Sequence, residues 1–273
     1  MTKSPQLFAE FPLVFATYNS PRKLDEDRHS TTTLKCGYEY TGIFDGHAGG
    51  AAAKWCAEQM KTYLEELIPG RSTILALKAA FERAHEEVPD TSGCTATVVL
   101  ARGAYLVVAA VGDSRAVLVR GNRAFSVTED HKVTNLYEKR RLEAAERTLN
   151  RQLIKHQRVD LLMVTRSIGD KELTPAILPQ PEVHEYVRAG DERFLVVASD
   201  GLWDVCSSDE VLQVIDGTVG TADAVAAALV NYAIVQYWQQ GIPADDITVT
   251  VVGLQPENSV QKDVPVPNVP AML

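Results

Sequence analysis

The chain has 273 residues, of which 27 are Lys or Arg and 36 are Asp or Glu, so its formal net charge is −9. This negative balance argues against nucleic acid as the main ligand, and no apolar run reaches the roughly 18 to 20 residues that a membrane-spanning helix needs. With 45% hydrophobic and 23% charged residues, the composition is ordinary for a soluble globular protein.

Apolar periodicity predicts a fold that mixes helices with sheets. Three- and four-residue spacing of apolar side chains predicts helices at 48–67, 73–88, 208–216 and 222–239. Short apolar runs bounded by turn residues predict strands at 41–44, 94–100, 105–111, 116–120, 124–127, 182–187, 193–198 and 247–254. Gly121-Asn122 is a two-residue hairpin signal. Because hairpins dominate, we expect largely antiparallel sheets with the helices outside.

Aspartates stand at the ends of three apolar strands. Asp45 follows 41–44, Asp200 follows 194–199, and Asp245-Asp246 precede 247–252. If these ends meet at one rim, two like charges 4 Å apart would repel by roughly 4 kcal/mol at an effective dielectric of 20. A divalent cation would remove that cost, and oxygen ligands favour Mg²⁺ or Mn²⁺ over zinc. Aspartate beside glycine is also a common turn residue, so this pattern leaves a turn role open.

Arg22 and His47 could complete a phosphoryl-transfer site at such a rim. A cation pair can activate water and clamp a phosphoryl group, while an arginine fork binds the developing charge and a histidine protonates the leaving oxygen. Arg22 precedes the acids at 25–27, and His47 lies two residues after Asp45. Taken singly, these residues also fit a surface arginine and a structural histidine.

Eight short motifs together resemble the metal-dependent type 2C serine/threonine protein phosphatases. Each motif is weak alone, but all eight occur in the family's order across roughly 15–254. The motifs are Arg22-x-x-x-Glu26-Asp27, Phe44-Asp45-Gly46-His47, Ser92-Gly93-Cys94-Thr95-Ala96, Val111-Gly112-Asp113-Ser114-Arg115, Glu129-Asp130-His131-Lys132, Thr165-Arg166-Ser167-Ile168-Gly169-Asp170, Ser199-Asp200-Gly201-Leu202-Trp203-Asp204 and Asp245-Asp246-Ile247-Thr248.

The resemblance implies a role for each candidate residue. Asp45 would bridge two metal ions, one also held by the Gly46 carbonyl with support from Glu26. Asp200 and Asp245 would hold the other ion. Arg22 would bind the substrate phosphate and His47 would protonate the leaving serine or threonine oxygen. Candidates for a third, weaker metal or for orienting water and the ligands are Asp27, Asp113, Asp204 and Asp246.

The same resemblance implies the fold, cofactors and reaction. The expected architecture is a four-layer α-β-β-α sandwich of two antiparallel sheets flanked by helices. The expected cofactors are two Mg²⁺ or Mn²⁺ ions, and a metal-bridging hydroxide would hydrolyse phosphoserine or phosphothreonine in proteins without a phosphoenzyme. We expect one catalytic domain at 1–254 with a flap-like insert at 132–164, and a proline-containing flexible tail at 255–273. We also expect a monomer acting on phosphoproteins in the cytoplasm, with the nucleus as a second location.

The chain departs from the family pattern at several positions. Ala48 separates His47 from Gly49-Gly50, where the family commonly has glycine directly after the histidine. Asp246 stands where asparagine is usual, which adds negative charge. Val133 replaces a proline, and the segment between Asp130 and Thr165 resembles the family's flap only loosely.

A basic segment lies inside that insert. Residues 132–158 contain eight Lys or Arg against Glu138, Glu143 and Glu146. One interpretation is a solvated helical face. The other is a docking surface for acidic or multiply phosphorylated substrates, in which Arg140, Arg141 and Arg147 take part.

Other phosphatase and nucleotide-binding classes fit the sequence poorly. A calcineurin-like metallophosphoesterase would need an acid at Ala116 and a histidine at Arg123. None of the four cysteines has an arginine six positions later, and neither GxGxxG nor GxxxxGK[ST] occurs. The cysteines are expected to be reduced thiols, with Cys94 inert to the chemistry. A catalytically silent relative that acts as a binding module is the remaining alternative, although such a protein should have lost metal acids.

Overall fold

Two five-stranded antiparallel sheets form the centre of the computed structural model, which describes residues 13–20, 22, 24–218 and 220–254. The first sheet contains, in spatial order, β1 (Val14–Ser20), β15 (Ile247–Gly253), β14 (Glu192–Ala198), β8 (Arg115–Arg120) and β9 (Arg123–Ser126). The second contains β13 (Glu182–Val187), β7 (Tyr105–Val111), β6 (Ala96–Arg102), β3 (Glu39–Phe44) and β2 (Arg28–Thr33). Every neighbouring pair in both sheets is antiparallel, as the hairpin signals predict.

Shorter strands, six α-helices and two 3₁₀ helices (Ile68–Gly70 and Lys171–Leu173) complete the described part of the chain. A three-stranded sheet has the order β12 (Ile168–Gly169), β5 (Gly93–Cys94) and β4 (Gly46–His47), and a small hairpin joins β10 (Ile154–Lys155) to β11 (Arg158–Val159). The α-helices are α1 (Ala51–Leu67), α2 (Thr73–Glu87), α3 (Leu136–Leu149), α4 (Asp200–Trp203), α5 (Ser208–Gly217) and α6 (Ala222–Gln240). None of the helices described here has the length and apolar character needed to cross a bilayer.

Three apolar clusters define four layers. Side chains from both large sheets meet in one cluster, which includes Ile43, Val99, Leu118 and Val197. A second cluster packs α1 and α2 on the outer face of the β3-containing sheet, and a third packs α5 and α6 on the outer face of the β15-containing sheet. The predicted α-β-β-α sandwich is confirmed, since burial of apolar area on both faces of each sheet requires this order of layers.

Most predicted elements are present, and the start of α1 shows how local geometry shifts a boundary. The periodicity predicts a helix from residue 48, but α1 begins at Ala51. Ala48 has a φ of +56°, a left-handed conformation that cannot belong to a right-handed helix. The turn therefore occupies 48–50 and leaves His47 on β4, outside the helix.

Strands β1 and β2 are absent from the sequence prediction. β2 has the sequence RHSTTT and alternates half-buried with exposed side chains at the edge of its sheet. β1 is also an edge strand, with only Ala16 buried. Neither has a continuous apolar run, so neither gives a strong strand signal. The predicted tail at 255–273 lies outside the described residues, and the limits of the predicted domain stay a prediction.

Candidate active site

Ends of strands from both large sheets meet at one rim. Asp45 follows β3, Asp200 opens α4 just after β14, and Asp245 lies just before β15. The side chains of Asp45 and Asp200 approach closely enough for the charge of Asp200 to raise the pKa of Asp45, and the charge of Asp245 acts on Asp200 in the same way. Thus folding brings together acids separated by up to 200 positions in the chain.

A glycine permits this convergence. A Cβ at Gly201 would lie 2.0 Å from the backbone carbonyl oxygen of Asp246, closer than any side chain tolerates. The start of α4 therefore contacts the segment that leads into β15. This close approach places Asp200 beside Asp245, as the strand-end pattern predicts.

The electrostatics of the rim are unfavourable for several ionised acids. Asp45 and Asp200 are each half-buried. Desolvation, reinforced by the charge of Asp200, raises the pKa of Asp45 well above its ordinary value. Desolvation, reinforced by Asp113, likewise raises the pKa of Asp200. A bound cation would relieve this repulsion.

The donor chemistry of this rim fits a hard divalent cation. Its carboxylates offer oxygen only, which is the preferred ligand of Mg²⁺ and Mn²⁺. Within the described residues, however, no three His, Cys, Asp or Glu side chains are gathered closely enough to hold a metal ion. The Asp45–Asp200 pair is what the structure assembles, and the complete ligand set stays a prediction.

The predicted site residue Asp246 organises the loop between β1 and β2. The carboxylate of Asp246 accepts hydrogen bonds from the backbone N–H groups of Arg22 at 2.6 Å and Glu26 at 3.1 Å. A carboxylate presents two acceptor oxygens for two donors, whereas the asparagine usual in the family presents one. Asp246 thereby holds the loop that carries Arg22 and Glu26 against the start of β15.

Glu26 and Asp27 lie in this loop and form hydrogen bonds to two different neighbouring segments. The Oε1 of Glu26 accepts from the backbone N–H of Gly49 at 2.8 Å, just before α1. Asp27 is buried and accepts from the Oγ of Ser199 at 2.8 Å. Desolvation raises the pKa of Asp27 to about 6. Both residues thus tie the loop to elements that carry Asp45 and Asp200.

Arg22 and His47 lie at the accessible side of the rim. Arg22 is exposed, and its Nε donates to the Oγ of Ser20 at 3.0 Å. His47 lies on β4, where its Nε2 is 2.8 Å from the Oδ2 of Asp170. Asp170 ends the Thr165-Arg166-Ser167-Ile168-Gly169-Asp170 motif, but no local pattern predicts its contact with His47, because the two residues are 123 positions apart.

The candidate third-metal acids have a cationic neighbour in the chain itself. The Nζ of Lys132 lies 2.8 Å from the Oδ2 of buried Asp113 and 3.9 Å from the Oδ1 of Asp204. Lys132 stands both in the Glu129-Asp130-His131-Lys132 motif and in the basic segment, but neither pattern predicts its contact with Asp113. The ammonium group already neutralises part of the charge that a third cation would balance.

The basic segment divides into structural and exposed side chains. Glu138 on α3 is buried, and its carboxylate accepts from Arg141, Arg166 and Thr165. Arg141 also donates to the backbone carbonyls of Ala176 and Thr165. The guanidinium of Arg141 is therefore already engaged inside the insert, which favours a structural role for this residue over docking. Arg140 and Arg147 are exposed, so docking stays a prediction for them.

Comparisons with known proteins agree with this geometry. The family model described as protein phosphatase 2C matches residues 22–240. Protein phosphatase 2C homolog 1 of Saccharomyces cerevisiae is 31% identical over 261 residues, which cover 85% of this chain and 89% of that protein. The chain belongs to the protein phosphatase 2C family.

Some relatives are much longer than this chain. A protein kinase and PP2C-like domain-containing protein of Oryza sativa subsp. japonica is 36% identical over 239 residues, which cover 81% of this chain. The chain spans only 36% of that protein's length.

Solved structures share the fold at low sequence identity. A serine-threonine phosphatase 2C from Toxoplasma gondii superposes with a TM-score of 0.70 at 19% identity, covering 88% of this chain and 94% of that one. A C. elegans sex determining protein gives a TM-score of 0.80 at 20% identity, covering 90% and 66%.

Proposed function

We propose that this chain hydrolyses phosphoserine and phosphothreonine in proteins with the help of divalent cations. The observation that carries the proposal is the approach of Asp45 and Asp200 at the rim where both large sheets end, close enough for the charge of Asp200 to raise the pKa of Asp45. Bound Mg²⁺ or Mn²⁺ ions would supply charge neutralisation and an activated water molecule as the nucleophile. Asp45, Asp200 and Asp245 would hold these ions, together with the Gly46 carbonyl and Glu26.

Arg22 and His47 act on the substrate in this proposal. Because Asp246 fixes the backbone of Arg22 while its guanidinium remains exposed, Arg22 can bind the phosphate of an incoming phosphoprotein. His47 donates a proton to the departing serine or threonine oxygen, which is a poor leaving group when unprotonated. The two residues therefore divide binding from proton transfer.

Direct attack by water is the proposed step, and a phosphoenzyme on Cys94 or Cys206 is disfavoured because both thiols are buried. Cys94, the cysteine nearest the rim, is fully buried, and desolvation raises the pKa of its thiol well above the ordinary value. Cys206 is also buried, and desolvation raises its pKa to about 12. A protonated, inaccessible thiol is a poor nucleophile.

The rival proposal is a catalytically silent binding module. All the acids implied by the family resemblance are present, together with Arg22 and His47, and this disfavours it. Cytoplasmic location and a monomeric state stay predictions from the sequence alone.

Hydrolysis of p-nitrophenyl phosphate and of a phosphothreonine peptide, each with and without Mn²⁺, tests the proposal. Activity should require Mn²⁺ and be abolished by Asp45→Asn or Asp200→Asn. Asp209→Asn, at an exposed position in the first turn of α5, is the matched control and should retain full activity. Full activity in chelator would refute the metal mechanism, and inactivity of the wild type with metal would favour the binding module.

A further inference from the structure

The three-stranded sheet places His47 and Asp170 on either side of one residue. Strand β5 pairs with β4 and β12 at once, so that Gly93 stands opposite both His47 and Gly169. Asp170 directly follows Gly169. The segment that follows the 132–164 insert is thereby brought beside the histidine proposed to protonate the leaving oxygen.

Gly93 provides the space in which the two side chains meet. A Cβ at Gly93 would lie 2.1 Å from the Oδ2 of Asp170 and 2.3 Å from the Nε2 of His47. The clash could not be relieved by moving a side chain, because the two atoms that a Cβ at Gly93 would meet are the atoms that form the His47–Asp170 contact. Glycine at this position is therefore a requirement of the His47–Asp170 pair.

Asp170 is held in place more firmly than an incidental neighbour would be. It is buried, its backbone N–H donates to the carbonyl of Ser92 at 3.3 Å, and the Oγ of Ser167 donates to the same Oδ2 that contacts His47. The side chain of His47 is 23% exposed, against 6% for that of Asp170. A ligand in the rim can therefore reach the imidazole, while the carboxylate behind it is covered.

We propose that Asp170 is a positioning residue for His47. Its carboxylate accepts the Nε2–H of the imidazole, fixes the orientation of the ring, and leaves Nδ1 as the nitrogen that faces the chemistry. The consequence for the reaction rests on the proposed function, but the hydrogen bond itself does not. Asp170 does not contact the substrate in this proposal and acts only through His47.

Leaving-group dependence distinguishes this role from a merely structural one. Phosphothreonine needs its leaving oxygen protonated, whereas p-nitrophenolate departs readily without a proton. Because general acid catalysis contributes about 10²–10⁴-fold, Asp170→Asn should lower kcat on a phosphothreonine peptide by roughly 10–100-fold and on p-nitrophenyl phosphate by less than about 3-fold. In a His47→Gln background the same substitution should have no further effect.

Glu172→Gln is the matched control, since it makes the same kind of carboxylate-to-amide change at an exposed position two residues after Asp170. It should retain the wild-type ratio of activities on the two substrates. Equal losses on both substrates in Asp170→Asn, or losses additive with His47→Gln, would overturn the proposal. An inactive wild type would instead refute the proposed function.

A spectroscopic measurement tests the hydrogen bond independently of activity. In ¹⁵N-histidine NMR spectra of the wild-type protein, the Nε2 of His47 should carry a hydrogen-bonded proton, and this signal should shift or vanish in Asp170→Asn. A wild-type spectrum in which the proton is on Nδ1 alone would overturn the proposal even if the variant failed to fold.

Discussion

The Nζ of Lys132 lies 2.8 Å from the Oδ2 of Asp113, a carboxylate that is almost fully buried beside the acidic rim. The charge of Asp113 raises the pKa of Lys132 even though desolvation opposes it. The insert that begins at residue 132 thus contributes a fixed positive charge to a site otherwise dominated by acids.

Lys132→Gln should therefore destabilise the metal-free protein. Loss of the ammonium leaves Asp113 with an uncompensated charge, at a cost of roughly 1–3 kcal/mol. Mn²⁺ should raise the Tm of this variant more than it raises the Tm of the wild type, because the cation replaces the missing charge. Thermal unfolding with and without Mn²⁺ measures both effects. Lys139→Gln, exposed on α3, should behave as wild type, and an unchanged Tm in Lys132→Gln would contradict the assignment.

Glu138→Ala should destabilise the insert strongly. The buried carboxylate of Glu138 neutralises Arg141 and Arg166, and removal of one member of a buried ion-pair network costs about 3–5 kcal/mol. The expected readouts are a lower urea midpoint and faster proteolysis within the insert. Glu143→Ala on the same helix should have little effect. Equal stability of the two variants would show that the network contributes nothing.

Ala48→Gly should stabilise the protein. Ala48 adopts a φ of +56°, and the left-handed conformation costs a non-glycine residue roughly 1–2 kcal/mol. The greater entropy of glycine in the unfolded chain offsets part of this gain, so we expect a net increase of about 0.5–1 kcal/mol in the free energy of unfolding. Ala57→Gly within α1 should have the opposite sign, losing about 1 kcal/mol. Destabilisation by Ala48→Gly would contradict the backbone argument.

His131 should make the protein sensitive to acid. It is buried with no partner for Nδ1, and desolvation lowers its pKa to about 4 from an ordinary value of 6.5. Between these two values the unfolded chain binds a proton that the folded chain does not, so stability is lost as pH falls from about 6.5 to about 4 and is unaffected above that window. The full loss is about 3 kcal/mol at most, at 1.36 kcal/mol per unit.

The comparison with His131→Met isolates this contribution from other titrating groups. The difference in unfolding free energy between wild type and variant should change across pH 6.5 to 4, and it should stay constant between pH 7 and 8. His184→Met, at an exposed position, should show no such trend. Parallel pH profiles for wild type and His131→Met would refute the prediction.

The sequence predicts the elements that have a clear apolar run or period. β7, buried at every position but its first, has its predicted bounds, as does the edge strand β13, and α2, α5 and α6 end within one residue of theirs. β2 could not be predicted in this way, because its threonines and serine face half-buried and exposed environments in alternation at a sheet edge.

The candidate site, too, is predictable from the sequence only in part. The meeting of Asp45 with Asp200 could be expected from strand ends, since apolar strands place the residues that follow them at a rim. The contacts of Asp170 with His47 and of Lys132 with Asp113 depend on tertiary packing that brings remote segments together, and no local pattern encodes them. The two hydrogen bonds that Asp246 accepts from backbone N–H groups likewise depend on tertiary packing. The aspartate at a position where asparagine is usual was the one sequence feature that marked this residue as different.

The most direct test of the central claim is the Mn²⁺-induced change in Tm of wild type, Asp45→Asn and Asp200→Asn. If these acids form one cation site, wild type should gain about 5–10 °C at a 100-fold excess of Mn²⁺ over its Kd. Each variant should lose that gain, yet start from a higher metal-free Tm, because one repelling charge has been removed. A full Mn²⁺-induced gain in both variants would contradict the claim that Asp45 and Asp200 share a metal site.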